Sequence, residues 1–239
     1  MKIFKSKNTT TYNERLFGSG LRGALHRGRY EWINKAIQRH NIATNSVLEL
    51  GCFDGKVIDF LPNRPERYLG LDANWEGGLD IAFELWKDFP EFEFRHCKDP
   101  KKMGLANELF DISICLETLE HVPPEMLDPY LENLASGTNN LAFISVPNEI
   151  GPVFIMKQLI KSLFGEGDSY TLSESLNQSL GRVHKVSRDQ HKGFSWKVFE
   201  KIVANYFDIV SIDGISPSIL GPYLSFGVGF VARPKRHSA

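Results

Sequence analysis

From residue 46 onward the chain alternates short apolar runs with amphipathic ones, and this order constrains the fold more than any other feature. "SVLEL" (46–50) is a strand ending in a glycine turn, "GKVIDFL" (55–61) starts a helix, and "RYLGLD" (67–72) is a second strand ending in aspartate. "GGLDIAFELWKDF" (77–89) has helical spacing, "EFEFRHC" (91–97) alternates as a strand does, and "LFDISICLE" (109–117) reads as a buried strand. A proline-started helix (123–136) and the strand "NLAFISVP" (140–147) come next. Strand, helix and strand in repetition give an α/β doubly wound sheet with helices on both faces. Ligands of such sheets bind beyond the carboxyl ends of the strands, where the connection order reverses.

The C-terminal part changes the pattern: a helix (195–207) leads into "DIVSIDGIS" (208–216) and "SFGVGFVARP" (225–234) with only a Gly/Pro-rich loop between them. Two strands without an intervening helix pair as an antiparallel hairpin, so the expected sheet is seven-stranded and mixed. Residues 1–45 read as an N-terminal helical cap on a domain of 46–239, with a lid inserted at about 148–194. The lid's helix carries Met156, Leu159, Ile160, Leu163 and Phe164 on one stripe, which reads as core packing, with contact to substrate or a membrane surface as the rarer use of such a stripe.

The chemistry starts at "VLELGCFDG" (47–55). A dinucleotide fingerprint needs glycines at the second and third positions of G-x-G-x-x-G, where this chain has Phe53 and Lys56. What remains is Glu49, Gly51 and Gly55, then Asp72 ending the next strand, a set suited to a ligand with a ribose and no phosphate.

In order and spacing, "VLELGCFDG", "YLGLDAN" and "FDISICLETLEHVP" resemble the first, second and fourth motifs of class I S-adenosylmethionine-dependent methyltransferases, whose fold is Rossmann-like. The resemblance implies S-adenosyl-L-methionine as cofactor. It places Gly51, Cys52, Phe53 and Gly55 around the methionine portion, with Glu49 orienting that loop, Asp72 and Ala73 at the ribose, Asp99 in "HCKD" at the adenine, and Glu117 beside the cofactor. Phe53 departs from the family's usual glycine. His121, His184 and His191 are the candidate general bases toward an acceptor hydroxyl; Phe53, Trp75 and Trp196 are candidates to exclude water and receive the sulfonium charge. No third ligand is evident near His184 and His191, so no metal is expected.

Lys2, Lys5, Lys7, Arg15, Arg22, Arg27, Arg29, Lys35 and Arg39 face only Glu14 and Glu31 in the first 39 residues, although the whole chain has a net charge of −1. With Arg182, Lys185, Arg188, Lys192 and Lys197 they suggest a cationic rim for an anionic substrate, small or carrier-linked. The absence of an N/D-P-P-Y/F motif after the fourth strand argues against nucleic acid. Cys52, Cys97 and Cys115 read as reduced thiols, and with no export signal or membrane span in view the expected location is cytoplasmic. O-methylation of such a substrate is the favoured reading; a non-catalytic cofactor-binding scaffold and an NAD-dependent oxidoreductase remain as alternatives.

Overall fold

The structure, a computed structural model, describes residues 21–105, 108–163, 170–189 and 191–236. Its centre is one seven-stranded sheet of β1 (Ser46–Leu50), β2 (Arg67–Asp72), β3 (Phe92–His96), β4 (Phe110–Leu116), β5 (Thr138–Pro147), β6 (Phe207–Ile215) and β7 (Gly227–Pro234). The strand order is β3-β2-β1-β4-β5-β7-β6. All pairs are parallel except those of β7, which runs antiparallel to both β5 and β6. The mixed sheet expected from the helix-free C-terminal connection is therefore present. Because β2 and β3 lie on one side of β1 and β4 on the other, the connection order reverses between β1 and β4, which opens a crevice at their carboxyl ends.

Alternation along the central strands supplies two apolar faces. Val47, Ile112, Ile114, Phe143 and Val231 point to one side, where α1 (Leu21–His40) lays down Trp32, Ile33 and Ile37. Leu48, Leu50, Cys115, Ile144 and Phe230 point to the other, against Leu131 and Leu134 of α3 (Pro124–Gly137) and Phe199 and Val203 of α6 (Trp196–Tyr206). The first of these faces depends on Trp32: its indole lies so close to β7 that a Cβ on Gly229 would sit 2.3 Å from the ring, and its Nε1 donates to Asp213 at 3.0 Å. The N-terminal helix is thus part of the main core.

Two helices are shorter than the sequence suggests. Residues 56–60 form a single 3-10 turn, because Pro62 bars its predecessor from helical geometry and Leu61 is extended (φ −67°, ψ 147°). The 77–89 segment is helical only over α2 (Gly78–Leu85), after which Trp86 turns its Nε1 onto the Asp54 carbonyl at 3.0 Å. The lid contains α4 (Gly151–Leu163) and an additional helix, α5 (Leu172–Ser179), started by a reciprocal Thr171–Glu174 capping box. The core-packing expectation for α4 needs correction. Val153 and Phe154 are buried, whereas Met156 and Leu159 of the expected stripe are exposed; Phe164 and the side chain of Leu163 lie outside the described residues. A short helix, α7 (Gly221–Leu224), precedes β7.

Replacing Trp32 by alanine removes the indole from a core position and leaves a cavity, at a cost of about 3–5 kcal/mol. At roughly 2–4 °C per kcal/mol for a chain of this size, thermal unfolding of Trp32→Ala should begin about 10 °C lower. A change of only a degree or two would mean that α1 contributes little to the core.

Candidate functional site: the crevice at the β1/β4 reversal

The floor of the crevice is the turn after β1, and its backbone is satisfied from within. Gly51 and Cys52 both donate to the Leu71 carbonyl, at 2.7 and 3.3 Å, and Gly55 donates to the Cys52 carbonyl at 2.8 Å. Phe53 N–H donates to Asp72 Oδ2 at 2.9 Å and Lys56 N–H to Asp54 Oδ1 at 3.1 Å. Gly51 has φ +77°, and a Cβ there would lie 2.0 Å from Thr118 Oγ1, so the glycine lets the ends of β1 and β4 meet. Phe53 folds its ring against Gly78, where a Cβ would lie 2.3 Å from it. Gly55 (φ +72°) makes room for Trp86 and Phe94.

Asp72 is half-buried at the end of β2; its second oxygen accepts from Asn74 N–H at 2.6 Å. Each carboxylate oxygen thus holds one backbone bond and retains a lone pair for a ligand. Ala73 presents its carbonyl 3.1 Å from His96 Nε2. Glu49 is 3 % exposed and accepts from the Tyr68 hydroxyl, and burial holds its carboxyl well above the usual range. It braces β1 against β2 from within the sheet. The Cys52 side chain also points inward, at 2.7 Å from where a Gly70 Cβ would be, and burial raises its thiol pKa, so only its backbone lines the turn. Asp99 caps the 3-10 turn Pro100–Lys102 by accepting from Lys101 N–H at 3.0 Å. Glu117 stands just beyond β4, accepts from Ser145 Oγ at 3.3 Å, and has its pKa raised by burial against the pull of Arg29 and Lys157. Phe53, Asn74 and Glu117 all have left-handed backbones (φ 49°, 53° and 50°). The chain thus bears strain at the ends of β1, β2 and β4, a pattern associated with functional sites.

Two of the three candidate histidines meet. His121 ends the 3-10 turn Leu119–His121, and its ring packs edge-on against His191 of the lid, with centroids 4.6 Å apart. His184 is exposed on the separate turn Val183–Lys185. Burial, followed by the Arg188 charge, lowers the His121 pKa and favours a neutral imidazole. Beside the pair lies Glu120, which sequence reasoning did not single out. It is 0 % exposed, and neither carboxylate oxygen has a hydrogen-bond partner among the described residues. Burial keeps its carboxyl well above the ordinary range, with the neighbouring Glu117 adding to the effect.

The lid is fastened over these residues by polar contacts. Arg188 Nη2 donates to the Glu120 carbonyl at 2.6 Å, and Lys192 Nζ pairs with Glu174 at 2.9 Å. Gln178, 0 % exposed, donates to the carbonyls of Glu149 (2.6 Å) and Phe194 (2.8 Å) and accepts from Gly193 N–H (3.1 Å). This geometry corrects the cationic rim in part. Arg29 is 9 % exposed beside the buried carboxylates, and Arg188 turns inward; Arg182, Lys185 and Lys197 remain exposed. Lys2, Lys5, Lys7, Arg15 and the side chain of Arg22 lie outside the described residues. Trp196 is in the core at 2 % exposure and cannot face a substrate, while Trp75 is 68 % exposed. A separate groove of about 550 Å³, lined by Phe154, Ile155, Leu159, Tyr170 and Leu176 among others, lies between α4 and α5 and includes none of the candidate site residues.

Gln178→Ala leaves two buried carbonyls and one N–H without their partner. At about 1–3 kcal/mol for each group left unsatisfied, the variant should melt several degrees lower, and proteolysis should cut first in the lid. Wild-type protease resistance in the variant would contradict this role.

No family model matches the chain. It is 31% identical over 96 residues to the ubiquinone biosynthesis O-methyltransferase of Stutzerimonas stutzeri, a match covering 40% of each protein. The chain thus spans about 40% of the length of that curated relative. The protein of the same name from Rickettsia canadensis is 23% identical over 197 residues, 75% of this chain and 82% of that one. Among solved structures, an S-adenosylmethionine-dependent methyltransferase from Clostridium acetobutylicum superimposes with a TM-score of 0.62 at 11% identity, over 88% of this chain and 92% of the other. The fold is that of the class I S-adenosylmethionine-dependent methyltransferases.

Proposed function

We propose that this chain binds S-adenosyl-L-methionine in the β1/β4 crevice and transfers its methyl group to a hydroxyl of a small or carrier-linked molecule. The closed turn carries the reading. The amides of Gly51, Cys52, Phe53, Gly55 and Lys56 are all engaged inside the protein, and the turn leads into a single 3-10 turn with no α-helical N-terminus. Dinucleotide sites hold a pyrophosphate with free amides and a helix N-terminus, so the turn fits a phosphate-free cofactor. Asp72, with an acceptor position open on each oxygen, suits the two hydroxyls of a ribose, at about 1.5–3 kcal/mol for each charge-assisted bond.

When bound, the cofactor supplies an activated methyl group on a sulfonium, and transfer leaves a neutral thioether. The chain's part is to hold the acceptor in line and to remove its proton. The neutral His121, packed against His191, supports a hydroxyl acceptor, as does the O-methyltransferase name of the relatives. The exposed Arg182, Lys185 and Lys197 favour an acceptor bearing negative charge.

The test is incubation of the full chain with methyl-labelled S-adenosylmethionine and a panel of hydroxyaryl and carrier-linked acceptors. Label should enter the acceptor, and His121→Ala and His191→Ala should each lower kcat by about 10²–10⁴ while leaving cofactor affinity unchanged. Because burial holds His121 below the usual imidazole value of about 6.5, the imidazole is neutral above that pH. The rate should accordingly be flat near pH 7 and fall only below about 6.5. Cofactor binding without transfer across the panel would support the scaffold reading, and an acid limb above pH 7.5 would remove His121 from the chemistry.

A further inference from the structure

The cations that the lid turns toward the protein are closed by carboxylates, with one exception. Lys157 pairs with Glu149 at 2.9 Å and Lys192 with Glu174 at 2.9 Å. Arg188 instead donates through Nη2 to the Glu120 backbone carbonyl at 2.6 Å, while its Nη1 is buried and has no hydrogen-bond partner among the described residues. The Glu120 carboxyl lies near enough to act on the guanidinium charge, yet no ion pair joins the two among the described residues. A buried charged donor without an acceptor costs the fold free energy, so a ligand that supplies the acceptor recovers it. The guanidinium is also held in orientation, over the ring of the buried Phe194 at 5.0 Å from its centroid. It stands beside the candidate chemistry: its charge acts on His121, which packs against His191 of the same lid loop.

We propose that Arg188 is a specificity-determining residue whose open Nη1 binds a carboxylate on the acceptor molecule itself, so that the acceptor is a hydroxy acid. On the methyltransferase reading, on which this assignment rests, the negative charge then stands close to the reacting hydroxyl. A charge on a distant carrier group would meet only the exposed Arg182, Lys185 and Lys197. Arginine suits the double task because its rigid fork lets one nitrogen keep the Glu120 carbonyl while the other takes the ligand. A carboxylate matches the single charge of the guanidinium. A phosphate would carry further negative charge into a place that already holds the buried Glu120 carboxyl. Burial favours the neutral form of that carboxyl, so it competes little for the guanidinium.

The experiment is calorimetric titration of the full chain, with and without S-adenosylhomocysteine, by the meta isomers of hydroxybenzoate, hydroxyphenylacetate and hydroxyphenylpropionate, each against its methyl ester. The series varies the spacing between hydroxyl and carboxylate, and the ester keeps the shape while removing the charge. At least one acid should bind wild type about 10-fold or more tightly than its ester, as one charge-assisted hydrogen bond provides. Arg188→Gln should weaken the acid alone and bring the pair to within about 2-fold of each other; Arg188→Lys, which keeps the charge without the fork, should restore part of the preference. A residue that only fastens the lid would weaken acid and ester alike. Equal binding of acid and ester, no acid bound, a preference that survives Arg188→Gln, or phenyl phosphate bound more tightly than every acid would overturn the assignment. Transfer from methyl-labelled S-adenosylmethionine is followed on the same samples. Acid binding that needs Arg188, with no transfer to the acid, would leave the carboxylate site standing and defeat the methyltransferase reading. Transfer to neutral hydroxyaryl acceptors that ignores Arg188→Gln would do the reverse.

Discussion

The crevice depends on one carboxylate and one carbonyl. Asp72 and Leu71 at the end of β2 accept four backbone N–H groups from Gly51, Cys52, Phe53 and Asn74, and so fix the turns after β1 and β2 to each other. A turn held this way has a defined shape and few spare donors, and that is why it discriminates between ligand classes. On the other side of β1, the turn meets the end of β4 so closely that only a glycine fits against Thr118. Phe53, Asn74 and Glu117, at the ends of these strands, have left-handed backbones.

Around this frame the rest of the molecule sets burial. Helix α1 and helices α3 and α6 seal opposite faces of the sheet, which leaves the carboxyl ends of the strands as the place where polar groups collect. The lid is then fixed at chosen points: Gln178 joins α5 to both ends of the lid, and Arg188 joins it to the turn that carries His121. The same docking brings His191 to His121 and encloses Glu120. Acid–base chemistry draws on this burial, because it favours the neutral form of the His121 imidazole.

Much of the fold is legible in the sequence because it rests on periodicity. Alternation along "SVLEL" and "FDISICL" marks buried parallel strands, and the helix-free connection between 216 and 225 implies the antiparallel β7. The turn is legible for a similar reason, since Gly51, Gly55 and Asp72 are local signals at fixed spacing. The capping box of α5 is present as T-x-x-E at 171–174, a signal hidden in a polar stretch. Other features carry no local signal. Nothing in the sequence distinguishes Gln178 as a buried staple, and the lid residues that surround Glu120 lie far along the chain from it. The inward turn of Arg29 and the exposure of Met156 and Leu159 escape a sequence reading for another reason. Charge and helical stripes say which residues share a face, and tertiary packing decides which face is covered. No described helix is long and apolar enough to cross a membrane.

The measurement that bears most directly on the closed turn is calorimetric titration of the wild-type chain with S-adenosylhomocysteine and, separately, with NAD. A turn whose amides are engaged internally, beside an aspartate that repels phosphate, predicts one site for the adenosyl ligand and no heat with the dinucleotide. Binding of NAD with no response to S-adenosylhomocysteine would mean that the turn opens to accept phosphate, and the account built on it would be wrong.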